Sequence, residues 1–178
     1  MRRPRQPAVF RFAVLGVVLA AAGCGAPQLP CPAAMVLRDA SQVVKFTPGA
    51  SEDPQNVRYV GEIAEAKLNC SYDPKTYERM DVAMGVAFQA TRPLASATSM
   101  AQFDYFVAIV NLEGEVLARK EFPLELQFPP GQTEASKIEE IHQTIPLKYP
   151  QNGGSLQIWV GFMLSDAELQ YNRAHRGG

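Results

Sequence analysis

The sequence has little of what catalytic and metal centres are built from. Two histidines, His142 and His175, and three cysteines, Cys24, Cys31 and Cys70, are spread over 178 residues. They show neither a CxxC pair nor the His/Cys clustering of a zinc or redox site. No GxSxG elbow, Walker loop or GxGxxG occurs, so α/β-hydrolase, P-loop and dinucleotide-binding chemistries have no sequence handle here. The acidic runs at Ser51–Asp53 and Glu139–Glu140 lack calcium-loop spacing. Catalytic, cofactor and metal sites are therefore all expected to be absent. No internal repeat of solenoid period is present. The apolar run Phe12–Ala22 is 11 residues long, too short for a membrane-spanning helix, which needs about 20.

Positive charge is unevenly placed. Residues 1–23 carry four of the 17 basic residues and none of the 18 acids, so the remainder holds 13 bases and 18 acids. A mildly acidic body of this kind does not attract nucleic acid or anionic lipid.

What is there begins with a leader. "MRRPRQ" is a positive n-region, "FAVLGVVLAA" an apolar h-region and "AAGC" a small-residue exit, the three parts of a secretory signal. Two processing outcomes are open. Cleavage at an A-x-A site formed by Ala20 and Ala22 releases a soluble chain starting at Gly23. Alternatively, Ala21-Ala22-Gly23-Cys24 is a lipobox with Ala21 where Leu is commonest, and in this the sequence resembles bacterial lipoproteins.

That resemblance implies a multiply acylated Cys24 as the mature N-terminus, with fatty chains such as palmitate. It also implies stable membrane attachment and, with Gly25 rather than Asp after the cysteine, the periplasmic face of the outer membrane. Lipidation of Cys24 leaves an even pair, Cys31 and Cys70, in an oxidising compartment. A disulfide closing that loop contributes roughly 4 kcal/mol. Two buried free thiols, and a metal or redox site, are the competing readings.

Strand patterns dominate the remainder. In Val57–Cys70 the apolar parity flips near Ile63 and Ala64, as a β-bulge requires, with a helical turn as the alternative. Met80–Ala90 has one large-residue face and one small-residue face. Phe103–Val110 is apolar on both parities, and Glu113-Gly114 suits a hairpin turn. Phe122–Phe128 alternates but contains Pro123, which suits an edge strand or a strand switch. Ile138–Leu147 reads as a strand, although a helix face also fits. Leu156–Leu164 alternates strongly. Ser165 with Glu168 forms a capping box that predicts a helix over 166–173, and the tail from Ala174 is expected to fray.

The predicted fold is all-β: a two-layer antiparallel β-sandwich, immunoglobulin-like in outline, with a short C-terminal helix. Trp159 follows both cysteines, so the Cys…Trp…Cys spacing of antibody domains is missing. The organisation reads as signal peptide 1–23, lipidated N-terminus and linker 24–32, sandwich 33–165, and helix with tail 166–178.

Cys24 followed by Cys31-Pro32, "LNCSYD", "YFVAIV" and "VGFMLSDAELQYNR" together resemble a group of uncharacterised proteobacterial envelope lipoproteins. That likeness implies a β-sandwich domain and brings no activity with it.

The functional expectation is a noncatalytic binding or structural module. Its partners are the membrane, through the anchor, and an unidentified envelope protein or glycan. The alternatives are an envelope-polymer hydrolase using scattered carboxylates and carriage of a lipid or other hydrophobic ligand between the sheets. The small face of Met80–Ala90 is expected to leave room for that ligand. Glu140 and His142 share a strand face and could bind metal or move protons, or simply face solvent. Tyr59, Tyr72, Tyr77 and Tyr105 could line a surface or sit half-buried in the sheets.

Overall fold

The computed structural model describes residues 29–148 and 151–175. The signal peptide, the lipobox and Cys24 lie outside the described residues. Eight strands form two four-stranded layers. They are β1 (Ala33–Val36), β2 (Gln42–Phe46), β3 (Val57–Tyr72), β4 (Arg79–Thr91), β5 (Met100–Asn111), β6 (Val116–Gln127), β7 (Glu134–Pro146) and β8 (Leu156–Phe162), followed by helix α1 (Asp166–Ala174).

One sheet has the order β1-β8-β5-β6 and the other β2-β3-β4-β7. This is a two-layer β-sandwich. The immunoglobulin likeness resides in the two packed layers. Strand order differs, since a constant-type immunoglobulin domain places its first, second, fifth and fourth strands in one sheet. All pairings are antiparallel except β1 with β8, which run parallel with Ala33 opposite Gln157.

Local chemistry explains the main strands. β4 alternates as its sequence does: Met80, Val82, Met84, Val86, Phe88 and Ala90 are buried, while Asp81, Ala83, Gly85, Ala87 and Gln89 look outward. In β3 the pairing steps from Ile63 opposite Phe88 to Glu65 opposite Ala87. Ala64 is thus the extra residue of a bulge, and the inward parity passes from Tyr59, Gly61 and Ile63 to Ala66, Leu68 and Cys70.

The β5–β6 turn places Gly114 at φ 86°, which a side chain tolerates poorly. Its Asn111 carbonyl accepts from the Gly114 N–H and its Asn111 side chain from the Glu115 N–H. Pro123 lies on β6, an edge strand, where its missing N–H removes no ladder bond that the sheet needs.

The layers meet through alternating inner faces and a run of aromatic contacts. Tyr59 meets Phe103 edge-on at 5.4 Å, Phe103 meets Phe162 at 5.2 Å, and Phe162 meets Phe88 at 5.9 Å. Phe88 meets Tyr105 at 4.7 Å, and Tyr105 stacks on Phe122 at 5.2 Å. The run therefore passes between sheets three times. Gly61 is required beneath it, because an added Cβ would come within 2.6 Å of the Phe103 ring.

The two sides of the sandwich are closed differently. On the β2 side, α1 covers the edge. Its Asn172 side chain donates to the Gln42 and Asp39 carbonyls, Lys45 pairs with Glu168 at 2.6 Å, and Phe46 meets Tyr171. The Ser165–Glu168 capping box is present. The His175 ring stacks on Tyr171 at 4.0 Å, and its backbone N–H donates to the Tyr171 carbonyl at the helix end. On the opposite side β6 and β7, the last strands of their sheets, share no ladder.

Cys31 and Cys70 form a disulfide with a Cα–Cα distance of 5.7 Å. It ties the segment before β1, in one sheet, to β3 in the other. Tyr72 reinforces this corner, donating to the Pro30 carbonyl and accepting from the Gly153 N–H. The bond closes a separation of 39 residues, for which chain entropy gives about 4 kcal/mol. Urea unfolding of the full chain is expected to lose about that amount, with a lower midpoint and a somewhat steeper slope because the unlinked unfolded chain exposes more surface, on reduction or on Cys70→Ser replacement. An unshifted midpoint would show that the corner bears no load.

Candidate functional site: a cleft between the open edges

The inner faces diverge where β6 and β7 face each other, leaving a cleft of about 260 Å³. This approaches the range of small-ligand pockets, which begins near 300 Å³. Val82, Met84 and Ile141 line it from one sheet, and Val107, Ile109 and Ile158 from the other. β6 contributes Ala118, Lys120 and Phe122, three residues of one parity and so one face. Phe122 is the last ring of the aromatic run and forms part of the wall.

The polar contributors are Gln143 on β7 and Arg119 and Lys120 on β6. Arg119 is already engaged, its guanidinium 4.3 Å from the Phe106 ring and 3.3 Å from Glu121. The Lys120 ammonium lies 5.1 Å from the centre of the Phe122 ring and makes no ion pair among the described residues. On β7, Glu139 faces inward one step beyond Ile141 and is paired with Lys137 at 2.6 Å.

The room for a ligand was expected from the small-residue face of Met80–Ala90. The structure places it elsewhere. Ala83, Gly85 and Ala87 point out of the sandwich, and the cleft is bordered by Val82 and Met84 of the large face. Ala83 and Gly85 instead floor a shallow trough on the outer surface. Lys67, Asn69 and Ser71 border it from β3, and Glu140, His142 and Thr144 from β7.

Glu140 and His142 share this exposed face as the sequence suggested, opposite Gly85 and Ala83. Asp81, at the end of the trough, accepts from the Thr144 hydroxyl at 2.6 Å and lies 3.9 Å from Arg79. Among the described residues no three His, Cys, Asp or Glu side chains converge to hold a metal ion.

The tyrosines separate into three environments. Tyr59 and Tyr105 are buried, Tyr72 is half-buried at the disulfide corner, and Tyr77 is exposed in the β3–β4 turn with φ 56°. In that turn, backbone N–H groups of Lys75 and Thr76, with Arg79 alongside, hold the Asp73 carboxyl below its ordinary range.

Sequence reasoning missed Lys120 and Gln143 as cleft residues. The signal was in the alternation itself. Lys120 lies on the inward parity of Phe122, Leu124 and Leu126, and Gln143 on that of Ile141 and Ile145.

Tyr105 packs directly behind the cleft wall. It is fully buried, and its hydroxyl has no hydrogen-bond partner. Burial, with the Glu139 charge nearby, pushes its phenol up to about 12. An unfolded tyrosine ionises near 10, so the unfolded chain gives up this proton first. Folding stability therefore falls as pH rises from about 10 to about 12. Tyr105→Phe is expected to remove that component of the alkaline decline while leaving neutral-pH stability unchanged or higher, because no hydrogen bond is lost. An alkaline unfolding profile identical to the parent's would contradict this placement.

No protein-family model, curated protein or solved structure matches this chain.

Proposed function

We propose that the chain is a lipid-anchored envelope lipoprotein whose sandwich faces the periplasm and works as a noncatalytic binding or structural module. One observation carries the reading: Cys31 and Cys70 are bonded to each other. The third cysteine, Cys24, thus has no cysteine of its own chain to pair with, and it stands directly after an exporting leader. Acylation accounts for both its position and its odd number. One fatty chain gives only marginal attachment, whereas two or more give stable anchoring at about 0.8 kcal/mol per buried methylene.

The distribution of exposed apolar side chains supports this orientation. Pro30, the disulfide, the β3–β4 turn and the β5–β6 hairpin all lie at one end of the sandwich. Exposed Leu29, Tyr77, Leu112, Val116 and Leu117 belong to that end, Leu94 and Met100 lie at the other, and Met35 and Ile138 lie between the ends on β1 and β7. A tether of seven residues from Cys24 to Cys31 spans at most about 25 Å. It therefore brings the apolar end to the bilayer. Among the described residues no helix is long and apolar enough to cross a membrane.

Hydrophobic-ligand carriage is a second reading, and the cleft favours it. The remaining partners, an envelope protein or a glycan, are left to the exposed faces.

The native protein is expected in the membrane fraction after alkaline carbonate washing, with a mature N-terminus at Cys24 whose mass exceeds the polypeptide by its acyl groups. Cys24→Ala is expected to lose the anchor and leave the membrane. Recovery of native protein with an unmodified Cys24, or membrane retention of Cys24→Ala, would overturn the reading.

A further inference from the structure

We infer that the cleft between β6 and β7 binds a single fatty acyl chain carrying an anionic headgroup, with Lys120 at the headgroup. This names the ligand class of the proposed binding module and rests on that reading for its biological setting.

Three observations carry it. The lining is largely apolar on both walls, with Val107, Ile109 and Phe122 on one and Val82, Met84 and Ile141 on the other, so an extended hydrocarbon is the chemistry it excludes least. Of the two cationic side chains at its border, Lys120 rests 5.1 Å from the centre of the Phe122 ring of the wall. It has no carboxylate partner among the described residues, unlike Arg119 and Lys137 nearby. An apolar slot with one unneutralised ammonium complements an amphiphile of opposite charge.

Position is the third. Ile109 and Ala118 flank the β5–β6 hairpin, so the cleft lies toward the end of the sandwich from which Pro30 and Cys31 leave. A tethered domain therefore presents it to the bilayer, which supplies single-chain anionic amphiphiles such as fatty acids and acidic lysophospholipids. The acyl chains on Cys24 are a competing occupant of the same chemistry. They carry no anionic head, and the experiment separates the two.

The test uses three probes of one chain length, dodecanoate and dodecyltrimethylammonium below their micellar concentrations and dodecanol below its solubility limit. The full chain with Cys24→Ser is studied in solution and the acylated wild type in lipid discs. Methyl NMR shifts of Ile109, Ile141 and Ile158 report occupancy. Dodecanoate is expected to saturate at one per chain and bind at least about tenfold more tightly than either other probe, a margin of about 1.4 kcal/mol.

Lys120→Met is expected to abolish that preference while dodecanol binding persists. Ala118→Phe is expected to block all three probes; should it fail to fold, the exposed Lys120→Met still decides the assignment. Equal affinity for the three probes, a preference surviving Lys120→Met, or no saturable shift each overturns the proposal. Binding by the Cys24→Ser chain but not by the acylated wild type gives the cleft to the chain's own anchor and overturns it as well. An unmodified Cys24 in native protein would remove the tether yet leave these binding results standing, and a silent cleft beside an acylated Cys24 would do the reverse.

Discussion

The run of rings from Tyr59 through Phe103, Phe162, Phe88 and Tyr105 to Phe122 is the contact on which the rest of the molecule depends. It crosses between layers that share no backbone ladder, and its first ring also bonds across them, the Tyr59 hydroxyl donating to the Gln102 carbonyl. What holds two such layers face to face is apolar burial between their inner faces, with aromatic pairs adding about 0.5–1.5 kcal/mol each beyond their area. Gly61 exists because Phe103 occupies the space a side chain would take. The disulfide adds a covalent tie between the sheets at one corner.

From that contact follows an asymmetry. The β2 edge is closed by α1, whose Asn172 satisfies two backbone carbonyls and whose Glu168 is held ionised by Lys45 and the Ser165 cap against the cost of burial. The β6 and β7 edges carry no such cover. β6 is blunted against strand addition by Pro123 and by the charged run Arg119-Lys120-Glu121. The inner faces part there, and the aromatic run ends in the wall of a cleft. The function proposed for the sandwich thus sits where its packing gives out, with a lysine left unneutralised beside the opening.

Much of the fold was legible because burial on one face forces period-two alternation. The parity flip at Ile63 and Ala64 marked the bulge, Glu113-Gly114 the hairpin, Pro123 an edge strand, and Ser165 with Glu168 the helix start. β1 was not legible. Ala33–Val36 is short and lacks alternation, and its parallel pairing with β8 joins segments more than a hundred residues apart. Alternation separates the two faces of a strand without saying which one points inward, so the small-residue face of β4 was assigned to the interlayer space it turns away from. The cleft draws side chains from β4, β5, β6, β7 and β8. No local pattern records such an assembly, although an inward-parity lysine in β6 was its visible trace.

A tethered sandwich with one closed and one open edge makes a regional claim about stability as well as a claim about ligand. Backbone amide hydrogen exchange of the full chain, with and without dodecanoate, addresses both at once. The slowest amides are expected in β3, β4, β5 and β8, which are paired on both sides. Ligand-dependent slowing is expected to be confined to the facing edges, residues 116–122 and 138–145. Slowing at the outer trough instead, or no change along β6 and β7, would contradict the account.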